Sequence, residues 1–318
     1  MALLEIQELK TYYNIMRGWV KAVDGVSFQV EQREALGLAG ESGCGKTTVA
    51  LSILKILPLG GKIAGGQIFF QNEDIVKIKE TEFRKKIRWK GISIVFQGAM
   101  NAFNPVFKVG DQIVEAILLH EKVSKKEAKE RAQKLMELVG IDRSRVNNYP
   151  HEFSGGMKQR ALIAMSLSCN PKLLIADEPG TALDVIVAAQ VFKLLKELKD
   201  KLNLGMILIT HDLSIIADTC DKTAIMYAGK LFEYGNVVTI FKSPLHPYTQ
   251  GLIAAFPSIK GEKIPIASIP GNPPDLLSPP PGCKFHPRCK YAMDICRKEE
   301  PQVIEVEKGH FVACYLAT

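Results

Sequence analysis

No uninterrupted apolar stretch approaches the ~18 residues that a membrane-spanning helix requires. The N-terminus, Met1-Ala2-Leu3-Leu4-Glu5-Ile6, lacks both a basic start and a long apolar segment. The first absence argues against an integral membrane protein, and the second predicts no signal peptide. Low-complexity tracts and internal repeats are also absent, which sets aside fibrous and solenoid architectures. Excess charge is missing as well. Lysine and arginine number 41 against 34 acidic residues, a formal net charge of +7. That balance suits an anionic membrane surface or nucleic acid, but a lysine-rich solvated surface explains it equally well. The expectation is a soluble, cytoplasmic chain whose 318 residues allow about two domains and a sizeable core. Cysteine is sparse except at one end: four of seven lie in the last 36 residues. In a reducing compartment such clustering points to a metal site rather than to disulfides.

The most informative stretch is Gly40-Glu41-Ser42-Gly43-Cys44-Gly45-Lys46-Thr47. It follows an apolar run, Ala35–Ala39, and opens into the helix-like Thr48–Leu54. This is a complete G-x-x-x-x-G-K-[ST] phosphate loop in strand–loop–helix context. The glycines let the backbone wrap a polyphosphate, so that successive N–H groups and a helix N-terminus point at it. Lys46 is placed to reach the β/γ-phosphates and the Thr47 hydroxyl to reach Mg²⁺. A chance glycine-rich turn is the competing account, and the full match between a strand and a helix argues against it. The chain is predicted to bind a nucleoside triphosphate.

Strands are expected at Leu3–Leu9, Val20–Val30, Ala35–Ala39, Gly66–Phe70 and Ile92–Phe96. Tyr12 and Tyr13 fall between the first two, where an aromatic face could hold a base or merely pack. The basic run Phe83–Lys90 reads as a solvated face. From Gly110 to Gly140 the apolar period becomes helical, with Ser124-Lys125-Lys126-Glu127 as a capping box. This helical block, continuing to about residue 170, reads as an insertion in an α/β core. Four polar elements then stand at strand tips or helix starts. Gln97 ends the strand at Ile92. Ser154-Gly155-Gly156 precedes a helix, forming a second amide cluster receptive to anions. Asp177-Glu178 ends the strand Leu173–Ala176, where one carboxylate can serve Mg²⁺ and the other a water; a helix-capping acidic pair is the alternative. His211 ends the strand Met206–Thr210, where it can contact a γ-phosphate or serve structure alone. A helix over about Asp184–Lys201 separates these last two strands, and short strands at Thr223–Tyr227 and Lys230–Tyr234 close the domain. After about Pro244 the chain turns proline-rich and is expected to be irregular. This tail carries Cys283, Cys289, Cys296 and Cys314, spaced C-x5-C, C-x6-C and C-x17-C. Structural zinc sites usually contain short C-x₂₋₄-C pairs, which are absent, so iron–sulfur and zinc both remain in play.

Together these motifs resemble the ATP-binding subunits of ABC transporters over nearly the whole chain. Gly40–Thr47 is similar to the Walker A loop, Gln97 to the Q-loop residue, Phe153–Met157 to the signature, Leu173–Glu178 to Walker B, Ala182-Leu183-Asp184 to the D-loop and His211 to the switch histidine. Tyr13 stands where the adenine-stacking aromatic belongs. Tyr149–Met157, Pro244–Thr249 and Pro281–Cys289 further resemble phrases of the oligopeptide/dipeptide branch, and within it the first of two paired ATPase subunits. Departures are Lys158 for arginine, Gly180 for threonine, and Gly98-Ala99 for an acidic–proline pair, the last where relatives meet the permease.

The resemblance implies a P-loop NTPase core with an antiparallel β subdomain and an inserted helical subdomain at about 104–170. The ATPase domain would span 1–243 and an irregular Cys-rich extension 244–318. ATP would be held by Tyr13, Ser42, Gly43, Cys44, Gly45, Lys46, Thr47 and Thr48. Mg²⁺ would be held by Thr47 with Gln97 and Asp177; Glu178 and His211 would act with Gln97 in hydrolysis. Ser154, Gly155 and Gly156 would contact ATP on a homologous second ATPase subunit. The implied assembly is a heterodimer on the cytoplasmic face of the membrane with two permease subunits, served indirectly by an extracytoplasmic solute-binding protein. Its cargo would be di- and oligopeptides, with oligosaccharides as the alternative. The resemblance also favours a [4Fe–4S] cluster on the four tail cysteines, Zn²⁺ being the alternative and His286 and His310 reserve ligands. Soluble ABC ATPases acting on nucleic acid, which usually carry a long coiled-coil arm or tandem halves, fit poorly. An iron–sulfur assembly ATPase is suggested only by the tail, and no nucleic-acid partner is expected.

Overall fold

The computed structural model describes residues 2–98, 102–255 and 269–317. Ala99, one of the departures after Gln97, lies outside the described residues. The elements in chain order are β1 (Ala2–Ile15), β2 (Gly18–Glu31), β3 (Ala35–Ala39), α1 (Lys46–Ile53), β4 (Gly61–Phe70), β5 (Glu73–Asp74), α2 (Glu80–Lys86) and β6 (Ile92–Val95). There follow α3 (Val109–His120), α4 (Lys125–Leu138), α5 (Gly155–Ser166), β7 (Leu173–Asp177), α6 (Val185–Leu202), β8 (Gly205–Ile209) and α7 (Leu213–Thr219). The chain ends with β9 (Lys222–Tyr227), β10 (Lys230–Asn236), α8 (Val237–Lys242), α9 (Pro247–Ala254), α10 (Asp294–Lys298), β11 (Ile304–Glu307) and β12 (His310–Val312).

Two compact units divide these elements. The first holds residues 1–30, 34–76 and 209–318, the second residues 31–33 and 77–208. In the first unit, β1 pairs antiparallel with β4, and the sheet order is β2-β1-β4-β5. The strand expected to stop at Leu9 continues to Ile15, so Tyr12 and Tyr13 lie within β1 rather than between strands. The reason is a bulge: Glu8 has φ 47° and the register with β4 shifts between Gln7 and Lys10. One inserted residue resets the apolar alternation that would otherwise mark the strand's continuation. The same unit contains β3, parallel to β9, followed by β10, β12 and β11 in antiparallel order. Every residue of β3 is buried.

The tail corrects the expectation of an irregular segment. Residues 304–312 form the β11–β12 hairpin, and β12 adds to β10 through Glu233↔Val312 and Tyr234↔Phe311. Strands of three and four residues, one of them with alternating Glu, give too short a period to stand out beside the prolines. Tyr248 of α9 is fully buried against Tyr227 and Phe285, with ring centroids 4.7 and 5.3 Å away.

In the second unit β8, β7 and β6 lie side by side, β6 and β7 parallel with Val95 opposite Ala176. The basic run around α2 behaves as its amphipathic spacing requires: Phe83 and Ile87 are buried while Arg84, Lys85, Lys86 and Lys90 face water. Helices α3, α4 and α5 pack together through Ile113, Ile117, Ala132, Met136 and Ile163, all fully buried. The capping box at Ser124 is formed in full, the serine accepting from the Glu127 amide and the glutamate from the Ser124 amide.

Candidate functional site

The phosphate loop runs from the end of β3 to α1 within the first unit. Its conformation is fixed by close backbone approach. Gly45 has φ 105°, and a Cβ there would stand 2.1 Å from the Ala22 carbonyl oxygen. A Cβ on Gly40 would meet the Met226 carbonyl oxygen at the same distance. Only glycine fits either position, so these two residues seat the loop on β2 and β9. Lys46 folds back over the loop: its Nζ donates to Gly40 O at 2.7 Å and to Glu41 O at 3.0 Å. This ammonium is 5% exposed by residue, so it is held at the loop rather than in bulk water. Burial pushes the Cys44 thiol up, leaving it a packing group rather than a nucleophile. Ser42, Gly43 and Thr47 are exposed, Thr48 half-buried. Tyr13, on β1 opposite Gly61, donates its hydroxyl to Thr48 Oγ1 at 3.3 Å. His211 follows β8 and is exposed, with Asp212 capping α7 beside it.

The second unit brings together Gln97 and Glu178. The parallel register of β6 and β7 ends both strands at one level, and Gln97 Nε2 donates to Glu178 Oε2 at 2.9 Å. Thr181 Oγ1 donates to the same oxygen at 3.0 Å. Glu178 has φ 44°, a left-handed conformation that costs a non-glycine residue about 1–3 kcal/mol and collects at functional positions. Asp177, the last residue of β7, is buried. Ser154 caps α5, its Oγ accepting from the Met157 amide at 3.3 Å, and Gly155 and Gly156 form the first turn. The helix thus offers N-terminal amides at an exposed edge. The departure at Gly180 has a packing cause: a Cβ there would lie 2.9 Å from the Phe192 ring. The aromatic on α6 fills the space that a larger residue would take.

The tail touches the phosphate loop within the first unit, which sequence reasoning missed. Arg288 grips the Glu41 carboxylate with both terminal nitrogens, at 2.6 and 2.9 Å. The Glu41 amide donates to the Tyr248 hydroxyl at 2.9 Å. The available signal was an acidic residue inside an anion-binding loop, which calls for a cation nearby.

The four tail cysteines all line one small cavity of about 10 Å³, together with His246, Phe285 and His286. Burial pushes the Cys283 thiol up to about 11 and raises Cys289 and Cys314 too, with neighbouring thiols adding to each shift. His246 is buried, its Nδ1 accepts from the Tyr248 amide, and its Nε2 has no hydrogen-bond partner among the described residues. A thiol-lined cavity with an orphaned donor on its wall suits a sulfur-rich centre in kind. Its size suits one water. Among the described residues no three His, Cys, Asp or Glu side chains stand together as a metal ion requires. His310, whose Nε2 is bound to Glu233 at 2.8 Å, is not among the residues lining the cavity. His286 lines the cavity with its Nδ1 set against Cys283 O at 3.0 Å.

Two family models match the chain. One, described as ABC transporter, matches residues 23–181; the other, described as oligopeptide/dipeptide transporter, C-terminal region, matches residues 232–296. The chain is 46% identical to the oligopeptide transport ATP-binding protein OppD of Bacillus subtilis, covering 99% of this chain and 88% of that protein. It is 45% identical to the dipeptide transport ATP-binding protein DppD of the same organism, covering 98% and 94%. Among solved structures, cbiO1 from Clostridium perfringens, part of the ABC transporter complex cbiONQ, superposes with a TM-score of 0.65 at 28% identity, covering 76% of this chain and 91% of that one. The ATP-binding cassette MJ0796 gives the same TM-score at 23% identity, over 74% of this chain and 98% of that one, a likeness of fold.

Proposed function

Because the chain belongs to the ABC transporter ATP-binding proteins, in their oligopeptide/dipeptide branch, we propose that it hydrolyses ATP to power import of di- and oligopeptides. The observation that carries this is the continuity of the likeness, which runs through the phosphate loop and the cysteine-bearing tail alike. On this reading residues 1–243 are the ATPase domain and 244–318 its branch-specific extension.

Lys46 exchanges the Gly40 and Glu41 carbonyls for β/γ-phosphate oxygens, and the amides of Ser42 to Thr48 complete the cradle. Tyr13 stacks on the adenine. Thr47, Gln97 and Asp177 would hold Mg²⁺, whose charge would offset that of the phosphates. Glu178, fixed by Gln97 and Thr181, orients the attacking water and takes its proton, while His211 steadies the γ-phosphate. Positioning and charge stabilisation then supply most of the rate. The α5 N-terminus at Ser154, Gly155 and Gly156 serves nucleotide on a homologous partner ATPase, which makes each site complete only in a closed heterodimer. Two permease subunits and an extracytoplasmic binding protein complete the assembly. No helix among the described residues is long and apolar enough to cross a membrane. On this reading the chain is a peripheral subunit at the cytoplasmic face. Reconstituted with its permease and binding protein in vesicles, the complex should take up peptides only with Mg·ATP. Uptake of oligosaccharides in place of peptides would overturn the cargo.

The tail cysteines 283, 289, 296 and 314 carry a finer reading, a [4Fe–4S] cluster, favoured by the orphaned His246 Nε2 on their cavity wall. Held by these four thiolates, such a centre would cross-link a proline-rich segment. Anaerobically purified protein should then be brown, with about four irons per chain. One zinc in colourless protein would establish the rival.

A further inference from the structure

We propose that Arg288 is a positioning residue for the nucleotide: through Glu41 the tail fixes the phosphate loop in its anion-binding shape. The inference rests on residues 40–47 being the nucleotide loop. A carboxylate inside that loop opposes the phosphates it must receive, unless its charge is offset and its side chain is held aside. Arg288 does both. Its fork meets both Glu41 oxygens, and its side chain is 6% exposed against 25% for the glutamate. Bidentate, partly buried pairing of this kind fixes direction as well as charge.

The arginine is itself fastened on three sides. Its Nε donates to Pro270 O at 2.8 Å, an Nη donates to the Tyr227 hydroxyl at 3.2 Å, and the guanidinium stands 5.6 Å from the Tyr227 ring centroid. Tyr248, also from beyond residue 243, accepts from the Glu41 amide. Glu41 is therefore gripped at amide and carboxylate by the tail, and its carbonyl accepts from Lys46 Nζ. One residue thus links the tail to the lysine that meets the phosphates. A surface ion pair that merely tied the tail down would need neither a buried fork nor contact with this loop.

The test uses the full chain, titrated with Mg·ADP, and the assembled transporter, assayed for ATPase. R288A should raise the Mg·ADP Kd about tenfold, roughly 1.4 kcal/mol, the ATPase change falling on KM rather than kcat. E41A should weaken binding to a similar extent, and E41A/R288A should be no worse than either single variant. R288K, with a point charge in place of the fork, should recover binding incompletely. Parental affinity in R288A, or additive losses in the double variant, would overturn the proposal. So would tighter binding by E41A, the result expected if the carboxylate only repelled phosphate. Should R288A fail to fold, E41Q leaves Arg288 and the tail in place and must still weaken binding; parental Kd there overturns the proposal. A parental chain that binds no Mg·ADP would overturn the nucleotide-loop reading itself.

Discussion

The phosphate loop and the cysteine-bearing tail belong to the same compact unit, yet they become ordered by opposite routes. The loop is shaped locally: glycines at two of its positions bring the backbone against neighbouring strands, and a lysine six residues on closes it. The tail is shaped from afar. Its hairpin pairs with β10, His310 reaches back 77 residues to Glu233, and Arg288 reaches back 247 residues to Glu41. A short motif can carry the first kind of order complete. The second kind depends on partners that no local window contains, and it makes the loop's finished shape a property of both regions.

The largest expected effect lies in the second unit. Glu178→Gln keeps the side chain's shape and removes its basicity. It should slow ATP turnover by about 10²–10⁴ while leaving nucleotide affinity intact, as steady-state ATPase and equilibrium binding would show. Turnover at the parental rate would remove Glu178 from the chemistry. Within the loop, Gly45→Ala tests local order directly. It adds a Cβ where the Ala22 carbonyl stands 2.1 Å away, at φ 105°. Strain of about 1–3 kcal/mol should weaken Mg·ADP binding roughly 5- to 150-fold. Gly43→Ala is the internal control: φ is 79° but nothing lies within 4 Å, so the loss should be several-fold smaller. Equal losses would mean that dihedral strain, not seating on β2, shapes the loop.

The tail's long-range order is tested by His310→Ala. Glu233 is fully buried and accepts from His310 and from the amides of Leu245 and His246. Deleting one partner of a buried acceptor costs about 1–3 kcal/mol. Thermal melting should therefore fall, by roughly 2–4 °C per kcal/mol for a domain of this size. An unchanged melt would show the hairpin to be an appendage.

The same contrast decides which elements are legible in the sequence. The strand feeding the loop is Ala35–Ala39 in both sequence and structure, because an unbroken buried run beside a motif leaves little choice. The capping box at Ser124 was equally legible, since its two hydrogen bonds span only three residues. Gln97 and Glu178 were placed at strand ends from sequence, but their direct hydrogen bond depends on the parallel register of β6 and β7. The bulge at Glu8 was invisible because it interrupts the alternation that marks a strand. The β11–β12 hairpin and the Arg288–Glu41 pair were missed for one reason: each is defined by a partner far along the chain, and prolines masked the short strands.

The smallest effect separates the loop's remote supports from one another. Tyr13 approaches α1 from β1, donating to Thr48 Oγ1 over 3.3 Å, a long hydrogen bond across 35 residues. Arg288 approaches the loop at Glu41 through a short, charged fork. If remote contacts all shape the loop alike, Tyr13→Phe and R288A should weaken Mg·ADP binding alike. They should not. A neutral hydrogen bond contributes about 0.5–1.5 kcal/mol net, and at 3.3 Å this one belongs at the low end. The phenyl ring retained in Tyr13→Phe keeps its packing over Gly61, whose Cβ position lies 2.7 Å from the tyrosine ring. The expected loss is about twofold or less, measured by the same titration. Tyr13→Ala removes the ring and with it the proposed stacking face for the base, a contact of about 1–3 kcal/mol where aromatic residues hold bases. A large loss for phenylalanine, equal to that for alanine, would shift the role of Tyr13 from base stacking to holding Thr48 at the head of α1.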